Sequence, residues 1–127
     1  SRRQFKEELG VHSGIRLAAR GGELLGFALF RQALDEAESL LLAVAEGHRR
    51  QGVGSSLLYR GHEIVRNRGA VCCYLEVRRR NRGARLFYEA MGYRSLGLRH
   101  RYYHRPDDDA VVMKRRLRRE DENSQGA

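Results

Sequence analysis

Apolar positions along this chain follow two rhythms. Ile15, Leu17 and Ala19 recur at every second residue, which predicts a strand, because strand side chains alternate between faces. Arg20-Gly21-Gly22-Glu23 reads as a tight turn. Leu24 to Gln32 reads as a buried strand with a bulge at Gly26. Acidic Asp35, Glu36 and Glu38 mark a connection. A third strand near 38–45 holds Leu40-Leu41-Leu42-Ala43-Val44, apolar on both faces and therefore central. The rhythm then changes to 3.6. Val53, Leu57, Leu58, Ile64 and Val65 make one helical stripe, with Gly69 where a C-cap belongs. Val71 to Val77 predicts a fourth strand. Asn81 can cap a second helix carrying Ala84, Leu86, Phe87, Ala90 and Met91, ending near Gly92. Two more strands follow, around Ser95–Tyr103 and Ala110–Leu117. Phe5 and Leu9, spaced i, i+4 before Gly10, predict a short helix over 3–9. Strands and helices in this order imply an α/β fold with a mixed sheet. The strands near 38–45 and 71–78 are expected to run parallel, joined by the helix near 53–68 as a right-handed crossover. One domain is expected over 1–119, with 120–127 as a flexible polar tail.

Composition narrows the class. A chain of 127 residues suits one domain. With 41% hydrophobic and 32% charged residues it reads as globular rather than disordered. No apolar run nears the ~20 residues that span a bilayer, and no signal peptide is visible. A cytoplasmic address without membrane contact is the expectation. Cys72 and Cys73 are the only cysteines, and neighbours on a strand point to opposite faces. They read as two reduced thiols, not as a disulfide or zinc site. The net charge of +9 favours polyanionic partners, nucleotide phosphates or RNA among them. Each dense run, Arg78-Arg79-Arg80 or Lys114-Arg115-Arg116, also reads as a solvated face.

Arg49-Arg50-Gln51-Gly52-Val53-Gly54 changes the picture most, because it lies between a central strand and a helix. Unpaired backbone N–H groups and the helix dipole make such a place an anion site. Gly52 and Gly54 allow backbone to approach phosphate oxygens, and Arg49 and Arg50 add charge-assisted hydrogen bonds. Leu57 stands where a dinucleotide fingerprint needs its third glycine, and no Walker pattern is present. An ordinary glycine turn before a helix remains the alternative.

The loop resembles the [QR]-x-x-G-x-[GA] loop of the GNAT acetyltransferases. Further motifs extend the likeness to that superfamily's RimI-type members, most specifically over residues 40–113. They are Leu75-Glu76-Val77-Arg78, Asn81, Leu86-Phe87-Tyr88-Glu89 with Gly92-Tyr93, Arg99 with Tyr102-Tyr103, and Asp109 to Met113. Asp35-Glu36-Ala37-Glu38 is similar as well. The resemblance implies a GNAT fold whose central parallel strands splay at one end. It implies a phosphate loop that cradles the pyrophosphate of acetyl-CoA through Arg49, Arg50, Gln51, Gly52, Val53, Gly54 and Ser55. It implies that this chain starts after the family's usual first strand and helix. The usual glutamine of the loop is Arg49, and the usual serine before Asn81 is Arg80.

Amide formation from an amine and a thioester needs a proton acceptor, a stabilised carbonyl oxygen and a proton donor for the leaving thiolate. Glu76 is an acid within an apolar strand. The resemblance implies that it is the proton acceptor, working through water, while the residues alone also allow a carboxylate paired with an arginine. Tyr88 is protonated at neutral pH and can donate to sulfur. The resemblance implies that role, against that of a core tyrosine with a bonded hydroxyl. Asn81 can hold the pantetheine or acetyl end, or simply cap its helix. Leu42, Ala43 and Val44 would offer backbone groups to the acetyl carbonyl and pantetheine arm. The five histidines have no metal or triad spacing, so no metal is expected. Ser55 and Ser56 lack a nucleophile-elbow context, which points to direct transfer without an acyl-enzyme. The resemblance implies an α-amino acceptor at a ribosomal protein N-terminus. A small amine, a protein lysine, a charged tRNA, or a non-catalytic acetyl-CoA- or RNA-binding module stay open beside it.

Overall fold

The computed structural model describes residues 4–9, 14–49, 52–103 and 107–118. The expected tail at 120–127 lies outside them. The strands are β1 (Gln4–Leu9), β2 (Gly14–Arg20), β3 (Leu24–Ala33), β4 (Glu36–Val44), β5 (Cys72–Arg78), β6 (Arg94–Tyr103) and β7 (Asp108–Arg116). Helix α1 (Val53–Asn67) joins β4 to β5, and α2 (Arg82–Ala90) leads from β5 towards β6. The strands form one sheet in the order β1-β2-β3-β4-β5-β7-β6. All neighbours are antiparallel except β4 and β5, which run parallel as expected.

Residues 4–9 correct the expected helix. They form a strand that pairs with β2 from Gln4↔Arg20 to Leu9↔Ile15. A spacing of four fits two strand repeats as well as one helical turn, and the open edge of β2 supplies a backbone ladder along the whole segment. The expected connection at 35–38 is also shorter than the acids suggested. Leu34 and Asp35 make the turn, and β4 begins at Glu36. Alternation then turns Ala37 into the core and leaves Glu36 and Glu38 on the other face.

The helices cover one face. Val53, Leu57, Leu58, Gly61, Ile64 and Val65 bury the predicted stripe of α1 against Ile15, Leu17, Phe30 and Ala37. At Gly61 the fit is close: a Cβ would fall 2.1 Å from the Phe30 ring. Gly69 closes α1 at φ +98°, a conformation natural to glycine past a helix end. In α2, Ala84, Phe87 and Tyr88 turn inward, as does Met91 at its C-terminal end, while Leu86 is exposed. On the face away from the helices, Leu40 and Leu41 keep 44% and 46% of their surface. Central position in the sheet therefore does not bury β4 on both faces. No helix among the described residues is long and apolar enough to cross a membrane.

Candidate active site

The parallel ladder between β4 and β5 is short. It runs through Glu36↔Cys72, Ala37↔Cys73 and Glu38↔Tyr74 and then stops. Beyond it β4 continues to Val44 and β5 to Arg78, so the strands part, as the splayed pair requires. A register shift in β4 sits at this point, since Leu29 faces Leu41 while Phe30 faces Ser39. This bulge places an extra residue at Leu40 and bends the strand away from β5. It also changes the alternation: Ala37 and Ser39 are buried before it, and Leu42 and Val44 pack on the core after it. Leu42, Ala43 and Val44 pair with Ala28, Phe27 and Gly26 of β3. Their other edge faces the gap. Gly26 is what lets β3 follow the bend, because a Cβ there would lie 2.6 Å from the Ala43 carbonyl oxygen.

The phosphate-loop segment opens α1 beside this gap. A 3₁₀ turn at Glu46–His48 leads into it, and His48 Nε2 lies 2.8 Å from a Glu23 carboxylate oxygen. Arg49 is exposed with extended backbone. Arg50 and Gln51 lie outside the described residues. Gly52 is left-handed at φ +77°, and no described side chain caps the helix it starts. The first-turn amides thus keep the orphan donors of a helix N-terminus. Val53 is buried, so only its backbone can serve a ligand. Gly54 sits at a junction that the spacing did not reveal. A Cβ on it would touch Val44 at 3.5 Å, Phe87 at 3.6 Å and Leu42 at 3.9 Å. These are ordinary van der Waals distances, so position 54 lies where α1, α2 and the free edge of β4 meet and has room for a methyl group. Ser55 is half-buried in the first turn of α1.

Tyr88 belongs to the helix layer. Its ring meets Phe87 at 5.2 Å and Tyr93 at 5.7 Å, both edge-on. Asn81 caps α2, its side-chain oxygen accepting from the Ala84 N–H at 3.1 Å. Cys73 is buried in the core, and desolvation pushes its thiol up to about 11 against bonds from Tyr93 and Ser39. It is thus held as an inert thiol. Both cysteines are free.

Glu76 lies on the opposite face from Leu75 and Val77, away from the helices. There it lines a cavity of about 300 Å³ with Arg31, Glu36, Glu38, Tyr74 and Arg99. Its Oε1 is 2.9 Å from Arg99 Nη1. Arg31 pairs with Glu38 at the same distance. The arginine partner that the sequence left open is therefore present, yet the carboxylate still opens on a cavity. The spacing of Glu36, Glu38 and Glu76 gives no hint that they share it, because the parallel pairing of β4 with β5 brings them there. Among the described residues no group of three His, Cys, Asp or Glu side chains is arranged to hold a metal.

Comparison with known proteins agrees with this geometry. Residues 1–93 match the acetyltransferase (GNAT) family. The ribosomal protein bS18-alanine N-acetyltransferase of Escherichia coli is 34% identical over 96 residues, 74% of this chain and 65% of that one. The chain thus spans just under two thirds of that relative's length. The N-alpha-acetyltransferase RimI of Mycobacterium tuberculosis is 35% identical over 116 residues, covering 87% of this chain and 72% of its own. The crystal structure of the Escherichia coli ribosomal-protein alanine N-acetyltransferase superposes with a TM-score of 0.80 at 28% identity, over 87% of this chain and 73% of that one. The family match and the parted parallel strands beside an uncapped glycine loop lead to one conclusion: the chain belongs to the GNAT family of acetyltransferases.

Proposed function

We propose that this chain is an acetyl-CoA-dependent N-acetyltransferase that acts on the α-amino group of a protein N-terminus, with a ribosomal protein as its substrate. The observation that carries the reading is the free edge of Leu42–Val44 beside the uncapped start of α1. An extended pantetheine arm can add to that edge through main-chain hydrogen bonds, as a strand would. Its pyrophosphate would then meet the orphan amides of residues 52–55, with Arg49 adding charge. The named relatives supply the acceptor class, since one acts on an alanine of ribosomal protein bS18. One catalytic domain over residues 1–119 carries the activity, in the cytoplasm, where Cys72 and Cys73 stay reduced.

The chemistry divides between the two faces of the sheet. The neutral amine attacks the thioester carbonyl from the side of the Glu76 cavity. A C–N bond forms and the C–S bond breaks. Glu76 accepts the proton that the nitrogen loses, and the Tyr88 hydroxyl donates the proton that the departing sulfur needs. Backbone N–H groups on β4 steady the carbonyl oxygen. An α-amino group suits this machinery because it is less basic than a lysine and holds more neutral amine at pH 7.

A thiol-release assay tests the reading, with acetyl-CoA and a panel of acceptors. Peptides with a free N-terminal alanine should release coenzyme A thiol and gain one acetyl group by mass. The same peptides with a blocked N-terminus should do neither. Release only with small amines, lysine side chains or charged tRNA would overturn the acceptor. No release with any acceptor would overturn the activity.

A further inference from the structure

Resting on the reading of Glu76 as proton acceptor, we propose that Arg99 is its positioning residue: a cation reaching across β7 that holds one oxygen of the carboxylate and leaves the other for the acceptor. Glu76 and Arg99 are not on neighbouring strands. Glu76 faces Val112 and Arg99 faces Ala110, with β7 between them. Cross-strand partners share a face, so all four side chains lie on the side away from the helices. A bulky residue at 110 would stand under the arginine stem, and the residue there is alanine, with no accessible surface. Across that small side chain Arg99 Nη1 comes within 2.9 Å of Glu76 Oε1. No other described group engages Glu76, so Oε2 remains available to an amine or a water.

Arg99 is itself held. Its guanidinium carbon lies 5.3 Å from the centre of the Tyr102 ring. Five residues of β6, Arg99 to Tyr103, span only three of β7, Ala110 to Asp108, and this irregularity accompanies the contact. The ring fixes the planar guanidinium by a cation–π contact, which limits its rotamers. Charge gives Arg99 a second reason to be there. Glu36 and Glu38 line the same cavity as Glu76, which gathers three carboxylates there. Arg31 offsets Glu38, and Arg99 offsets Glu76. The pair is not there for stability. The side chains of Arg99 and Glu76 are 57% and 28% exposed, and ion pairs with such access to water stabilise a fold very little.

The test compares Arg99→Gln, Arg99→Lys, Glu76→Gln and the Arg99→Gln/Glu76→Gln double variant in the full chain. Steady-state rates are measured with acetyl-CoA and an alanine-starting peptide, and thermal melting checks folding. Misplacing a reacting group by about 1 Å can lower a rate ~10²-fold, so Arg99→Gln should lower kcat ~10- to 100-fold. The KM for acetyl-CoA should not move. Arg99→Lys should recover part of the rate, because it keeps the charge but not the planar group that stacks on Tyr102. In the Glu76→Gln background Arg99→Gln should change kcat less than about twofold, since the group it positions is gone. An equal loss from Arg99→Gln in both backgrounds would overturn the proposal, as would a rise in peptide KM at unchanged kcat. Full activity of Arg99→Gln beside an impaired Glu76→Gln would overturn this proposal alone. Full activity of Glu76→Gln would overturn both it and the reading it rests on. Should Arg99→Gln melt early, Arg99→Lys and Arg99→Met supply the same comparison with the side-chain stem retained.

Discussion

Glu76 and Tyr88 sit on opposite faces of the sheet, one in an open cavity and the other among aromatic rings. That division suits two proton transfers that must not short-circuit each other. A positioned acid or base contributes ~10²–10⁴ in rate, about 2.7–5.4 kcal/mol of barrier. Glu76→Gln and Tyr88→Phe should each lower kcat by that factor in the thiol-release assay. Neither residue belongs to the phosphate loop, so calorimetry should find acetyl-CoA affinity nearly unchanged in both. Both residue types were legible in the sequence, as an acid in an apolar strand and a tyrosine on an inward helix face. Their surroundings were not. The partner of Glu76 comes from a strand that follows it by more than fifteen residues and is not its neighbour in the sheet.

Among the elements, the start of α1 carries the proposed acetyl-CoA binding. Gly52 is left-handed, and a β-branched residue is a poor occupant of that region. Gly52→Val should raise the conformational strain of the loop by roughly 1–2 kcal/mol and crowd the anion. On the proposed reading Arg49→Ala would remove a charge-assisted hydrogen bond to the pyrophosphate, which corresponds to about 1.5–3 kcal/mol. Calorimetric titration should find acetyl-CoA binding weaker in Arg49→Ala and weaker still in Gly52→Val. Unchanged affinity in both would move the pyrophosphate to another place. The helices, their caps at Asn81 and Gly69, and the late strands follow from local pattern because capping and periodicity act over a few residues. The bulge at Leu40 does not, since it exists only in the mismatch of register between β3 and β4. Residues 4–9 became a strand for a similar reason, the vacant edge of β2.

Across the molecule, one chain of polar groups, buried at His62 and Tyr93, ties α1 to β7 and to the segment after α2. Arg115 Nη1 donates to His62 Nδ1 at 2.6 Å, and His62 Nε2 lies 2.6 Å from the Tyr93 hydroxyl. With Nδ1 accepting, the imidazole is neutral and carries its proton on Nε2. Burial, and after it the Arg115 charge, lower the His62 pKa from 6.5 to about 3. The unfolded chain therefore binds one more proton than the folded one between about pH 6.5 and 3. Stability is full above pH 6.5 and falls as pH drops through that window, by up to about 1.4 kcal/mol per pH unit. Melting temperature measured from pH 7.5 to 4 should fall accordingly, and His62→Gln should flatten the slope. An unchanged slope in His62→Gln would assign the acid sensitivity to other groups.

Local chemistry indicated the helices and most of the strands, a loop suited to an anion and the residue types able to move protons. Each of these depends on side chains within about one or two turns of each other, so the order of residues alone carries it. Tertiary structure decided the rest. The parallel ladder stops at Glu38↔Tyr74 because β4 bulges just beyond that point, and the gap that follows belongs to neither strand alone. The cavity of Glu36, Glu38, Glu76 and Arg99 joins three strands whose order in the sheet no periodicity encodes. Gly61 and His62, unremarkable in sequence, become a tight helix–sheet contact and a buried proton-linked network only once Phe30, Tyr93 and Arg115 are packed against them.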